Sequence, residues 1–190
     1  MMEMIKSEIQ SSIATKQTLL ESDYVLLLIK DIANACVTSL KNGGKIILAG
    51  NGGSFADAQH ISAEFTSRYM VDRESLPSIC LGTNNSALSA IGNDYGYDEV
   101  FARELSSIGN KNDLFIAIST SGNSTNIVQA IKKANEKKIL TYALTGENGG
   151  MINDLCTCLR VPSNTTGRIQ ESHILIGHII CSLTEKEFFK

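Results

Sequence analysis

The chain has three histidines, and one of them, His60, is followed four residues later by a carboxylate, Glu64. On a helix that spacing puts both side chains on one face. An imidazole exchanges protons near neutral pH and a carboxylate is ionised there, so the pair suits proton transfer. The same pair can also ligate a divalent metal, although two ligands alone define no metal site. Gln170, His173 and His178 follow much later, in "RIQESHILIGH". Eight residues of helix rise about 12 Å, so spacing alone does not group Gln170 with His178. A lone helical histidine is ordinarily a hydrogen-bonded structural residue, and His173 is read that way.

Two loops carry the complementary chemistry. "GNGGS" (50–54) follows the apolar run "KIILA", and "STSGNS" (119–124) follows "DLFIAI". Glycines let backbone N–H groups approach an anion, and a helix start adds partial positive charge. Ser54, Ser119, Thr120, Ser121 and Ser124 add hydroxyl donors. The first loop lacks the lysine of a P-loop and has Phe55 where a dinucleotide fingerprint needs its last glycine. The plainer account makes each loop a strand-to-helix turn with serine as the cap. Two such loops in one sheet favour a phosphate site.

These groups need a frame, and the apolar pattern supplies one. Residues 3–41 read as two helices broken at 21–23, the second with Val25, Leu28, Ile29, Ile32, Cys36 and Leu40 at helical spacing. Strands are expected at 45–50, 78–82, 113–120 and 139–145 and in "CTCLRVP". Helices fall between them, one spanning about 55–69, and a long helix closes the chain. Near-continuous apolar strands alternating with helices imply a parallel sheet covered on both faces. The expectation is an α/β three-layer sandwich of five parallel strands. It forms one domain over 1–190, with 1–41 as N-terminal helices and 42–190 as core.

Composition narrows the function further. With 43% hydrophobic and 19% charged residues, the chain suits a buried core rather than disorder. A net charge of −3 gives no basic field for nucleic acid or an anionic membrane. "MMEMIKSEIQ" lacks the apolar stretch of a signal peptide, and no segment reaches the roughly 20 apolar residues that span a bilayer. The five cysteines, odd in number and without a C-x-x-C pair, read as buried free thiols in a reducing cytoplasm. Arg68 and Arg168 can neutralise phosphate or pair with surface carboxylates, and "KKANEKK" reads as a solvated helix face.

Taken together, "GNGGSFADAQHISAEF", "AIGNDYGYDEVF", "AISTSGNSTNIVQAI" and "GRIQESHILIGH" resemble the phosphoheptose isomerases, a branch of the sugar-isomerase (SIS) domain family. The resemblance runs from about residue 20 to the end. It implies conversion of sedoheptulose 7-phosphate to D-glycero-D-manno-heptose 7-phosphate through an enediol, early in heptose supply for lipopolysaccharide or other surface glycans. It implies that Asn51, Gly52, Gly53 and Ser54 line the sugar-phosphate site and that Ser119, Thr120, Ser121 and Ser124 hold the phosphate. Asn93 and Asp94 would meet the substrate. His60, Glu64, Gln170 and His178 match the family's zinc ligands, and Glu64 and His178 its acid–base pair; Glu64 and Gln170 also count among the substrate contacts. A homotetramer with sites between subunits is implied as well. Some SIS proteins instead bind the bacterial replication initiator as tetrameric modules that keep the phosphate loops but lose the acid–base pair. The presence of both Glu64 and His178 favours the enzyme.

Overall fold

The computed structural model describes residues 1–190. Helices α1 (Met2–Leu20) and α2 (Asp23–Lys41) meet at a break where the Ser22 hydroxyl accepts the Val25 N–H and caps α2. Strand β1 (Ile46–Ala49) leads to α3 (Gly53–Thr66), then β2 (Ser78–Cys80), α4 (Asn85–Tyr95), a short 3-10 turn and α5 (Val100–Ile108). Strand β3 (Leu114–Ile118) precedes α6 (Thr125–Glu136), followed by β4 (Leu140–Thr145), a second 3-10 turn, β5 (Thr157–Arg160) and α7 (Thr166–Phe188). The expected elements are all present. Strand ends are shorter than expected by one or two residues, and the largest shift is in α3, which stops at Thr66 rather than near 69 because the next residues bend away to bond a carboxylate on α7.

All strands pair in parallel, in the order β2-β1-β3-β4-β5. Burial on both faces explains why the strands read as unbroken apolar runs. Ile46, Leu48, Leu114 and Ile116 point into one core beneath α2, α3 and α7. Ile47, Ala49, Phe115 and Ala117 point into the other, beneath α5 and α6. Fully burying a phenylalanine contributes about 1.5–3 kcal/mol, and Phe65, Phe101 and Phe115 are each buried to that degree.

The strand order reverses direction between β1 and β3. In doubly wound sheets such a switch point opens a crevice beyond the carboxyl ends of the strands, where ligands bind. The Gly-rich loop follows β1 and the Ser-rich loop follows β3, so the two candidate loops flank that crevice.

Helix α1 is different in kind. Only Thr15 and Leu19 are buried on it, while Ile5, Ile9 and Ile13, at four-residue spacing, are exposed. Leu175 and Ile179 on α7 are also exposed. No helix is long and apolar enough to cross a membrane.

Candidate active site

Helices α3 and α7 lie side by side and run in the same direction. Gly53 faces Gln170, Ile61 faces Gly177, His60 meets His178, and Met70, just past α3, bonds Glu185. A Cβ on Gly177 would fall 2.4 Å from Ile61 Cδ1, so the missing side chain lets the helices approach at this level.

This close approach brings three predicted residues together. His60 Nε2 lies 2.9 Å from His178 Nε2 and 3.3 Å from Glu64 Oε1. The donor atoms of His60, Glu64 and His178 all fall within 4.8 Å of one another. Two imidazole nitrogens at 2.9 Å share either a proton or a cation, and two histidines with a glutamate suit a zinc ion. The residues present therefore fit the metal. The His60 side chain is half exposed, so the cluster opens to the surface. Asp57, one turn before His60, has a buried Oδ2 without a hydrogen-bond partner. Burial raises its carboxyl pKa against the pull of His60 and His178.

Gln170 is not part of this cluster within the chain. Its amide packs on Gly53 at the start of α3, two helical turns from His178. Asn93 and Asp94 lie exposed near the end of α4, and the Asn93 amide donates to Asp94 Oδ1 at 2.8 Å.

The two loops lead into α3 and α6. Gly52, at φ +55°, starts α3, and no side chain caps that helix. Ser124 starts α6, again without a side-chain cap. Ser22 and Asn84, by contrast, cap α2 and α4. Serine therefore does not serve as the cap in "STSGNS", and the first-turn N–H groups of α3 and α6 keep free of side-chain acceptors. Ser119 Oγ instead accepts the Gly122 N–H at 3.2 Å and lies 3.3 Å from Ser124 Oγ. Gly122 sits at φ +67°, and a Cβ there would fall 1.9 Å from the Gly149 carbonyl oxygen.

Sequence reasoning missed the residue that joins the loops. Asn126, 3% exposed, exchanges two amide hydrogen bonds of 2.9 Å with Asn51. Tyr97 donates its hydroxyl to the same Asn51 Oδ1. The pair spans the switch point and fixes one loop against the other. An asparagine in the first turn of a helix gives no sequence signal of such a role.

A cavity of about 280 Å³ lies beside the serine loop, lined by Thr120, Ser121, Asn123, Gly146, Asn148 and Ser163 among others. A larger one, about 590 Å³, lies between α3 and the edge strand β2, and none of the predicted site residues lines it. The first holds Thr120 and Ser121 of the expected phosphate set, together with the Glu147 carboxylate. Arg168 turns from the loops to Glu8 and Glu171. His173 is fully buried, with Nε2 3.1 Å from the Thr145 carbonyl oxygen.

A doubly wound sheet with paired Gly and Ser loops at its switch point defines an α/β domain whose ligand crevice lies between those loops. The SIS domain family model matches residues 16–146. The chain is 54% identical to phosphoheptose isomerase of Aneurinibacillus thermoaerophilus, over 98% of this chain and 94% of that protein. It is 50% identical to phosphoheptose isomerase 2 of Campylobacter jejuni, over 97% and 92%. The solved phosphoheptose isomerase of Neisseria gonorrhoeae superposes with a TM-score of 0.90 at 40% identity, over 97% of this chain and 98% of that one. That of Francisella tularensis gives 0.92 at 34%, over the same shares. The chain belongs to the phosphoheptose isomerase family of SIS-domain proteins.

Proposed function

We propose that this chain is an aldose–ketose isomerase that converts sedoheptulose 7-phosphate to D-glycero-D-manno-heptose 7-phosphate. The observation that carries the reading is the meeting of Glu64 and His178, distant in sequence, beside His60 on helices that start beyond the carboxyl ends of the strands. Full-length similarity to proteins of that name supports it.

The 7-phosphate is held by Ser119, Thr120, Ser121 and Ser124 and by the free N–H groups that open α6. Asn51, Gly52, Gly53 and Ser54 line the sugar chain, with Gln170 over Gly53. Asn93 and Asp94 meet the substrate from α4. A carboxylate removes the C1 proton, whose electron pair forms the C1–C2 double bond while O2 takes a proton. The enediol then loses its O1 proton, and C2 is protonated to give the aldose. Glu64 suits the carbon steps and His178 the oxygen steps.

His60, Glu64 and His178 would hold a zinc ion. When bound, zinc polarises the substrate carbonyl as a Lewis acid. Gln170, the fourth expected ligand, packs on Gly53 two turns away in this chain, and in our reading a neighbouring subunit completes such a centre. That arrangement accords with a homotetramer whose sites lie between subunits and whose α1 helices bury Ile5, Ile9 and Ile13 against a neighbour. We read 1–190 as one SIS domain, working in the cytoplasm to supply heptose for lipopolysaccharide or a related surface glycan. Neither nucleic acid nor membrane is a partner in this reading.

A coupled assay on sedoheptulose 7-phosphate tests it, with Glu64→Gln and His178→Ala each run with and without added zinc. Turnover by the unmodified protein and at least a hundredfold loss in both variants supports the proposal. Robust turnover by both variants removes the acid–base pair, and an inactive parent removes the isomerase.

A further inference from the structure

Past the end of α3 the chain enters a device that the reaction scheme above does not use. Arg73 and Glu185 form an ion pair at 2.8 Å, with side chains only 3% and 4% exposed. Burial of this kind is costly unless every hydrogen-bonding position is matched, and here the matching reaches towards the site. Glu185 accepts the backbone N–H groups of Tyr69, Met70 and Val71 at 2.8 to 3.1 Å. Arg73 donates to the backbone carbonyls of Glu64, Phe65 and Ser67. One buried pair therefore closes the open carbonyl end of α3 at Glu64 and pins the following segment to α7.

Capping a helix needs only the carbonyl contacts. The pinned segment does more, because it lays the Tyr69 ring over His178, with centroids 5.6 Å apart and planes 21° apart. His60 meets the same imidazole edge-on, with centroids 5.1 Å apart and planes at 73°. His178 is thus held by a face on one side and an edge on the other: tilting its ring would break the stack, and the 2.9 Å contact with His60 selects which edge Nε2 occupies.

We infer that Tyr69, anchored by the Arg73–Glu185 pair, is a positioning residue that fixes the His178 ring so that Nε2 faces His60 and Glu64. This inference rests on the isomerase reading for its consequence in catalysis, but not for its geometry. In this inference Tyr69 acts through His178, by the ring contact alone. The same guanidinium holds the Glu64 backbone, so both members of the acid–base pair take their place from one buried ion pair.

The test uses Tyr69→Leu and Tyr69→Phe in the full-length chain, each with a thermal melt. The readouts are steady-state kinetics and the NMR shift of the His178 ring protons in metal-free protein. Leucine should abolish the ring-current shift on His178 and lower kcat at least tenfold, with KM changed less than threefold. Phenylalanine should retain the shift and most of the rate. Tyr69→Met repeats the comparison should leucine lower the melting temperature. If leucine leaves the His178 shift and kcat unchanged, or phenylalanine fails as badly as leucine, the inference is overturned. An unmodified protein inactive on sedoheptulose 7-phosphate sinks the isomerase reading alone, since the NMR comparison still decides whether Tyr69 orients His178.

Discussion

His173 ties the helix that carries Gln170 and His178 to the end of β4, and its energetics can be worked from the structure. The ring is fully buried, and because the Thr145 carbonyl can only accept, Nε2 carries the neutral ring's proton and donates it there, while Nδ1 has no partner. Burial pushes the pKa down from 6.5 to about 4, although the bond to Thr145 resists. The unfolded chain therefore binds a proton at a higher pH than the folded one. Stability owed to neutral His173 is complete above pH 6.5 and is lost as the pH falls from 6.5 towards 4. At about 1.4 kcal/mol per pH unit the gap amounts to roughly 3 kcal/mol. Urea unfolding at half-unit steps from pH 7.5 to 4 measures it, with His173→Gln as the reference. Glutamine keeps an N–H donor for Thr145 but does not titrate, and every other ionisable group is common to both proteins. The wild type should lose about 3 kcal/mol more than the variant across that window. Parallel curves would refute the reasoning.

Other consequences concern the loops and the metal. Gly122→Ala drives a Cβ into the Gly149 carbonyl from a positive-φ position, so the serine loop must move. KM for the sugar phosphate should rise at least tenfold, as measured by initial rates, and protection of the loop from proteolysis by inorganic phosphate should vanish. Asn126→Leu strips both amide bonds from Asn51 and should cost about 1–3 kcal/mol in urea unfolding, with a weakened KM. Chelator-treated protein should take up one zinc per chain by atomic absorption, and His60→Ala should take up none with comparable affinity.

Much of this fold was legible because parallel strands buried on both faces leave an unmistakable trace. "KIILA" and "DLFIAI" are apolar without alternation, and the Gly and Ser runs behind them mark the switch-point loops. The pairing of His60 with Glu64 was legible from helical spacing, and its pairing with His178 only through family resemblance. The parallel register of α3 and α7 that joins them depends on Gly177 and Ile61, whose fit is a matter of shape. Asn126, Arg73 and Glu185 left no trace for a related reason. A buried amide or ion pair is defined by its partner across the fold, and neither residue type nor spacing names that partner. Residue periodicity also overran α3, because the helix ends where a carboxylate more than a hundred residues away collects its N–H groups.

The central claim is that one carboxylate and one imidazole, brought together by two parallel helices, move a proton along a sugar-phosphate chain. Solvent-deuterium exchange measures that step before any product is released. Sedoheptulose 7-phosphate incubated with the protein in D2O should gain deuterium at C1 by NMR, and Glu64→Gln should slow the exchange at least a hundredfold while inorganic phosphate still binds. Exchange at an undiminished rate in Glu64→Gln would contradict the account.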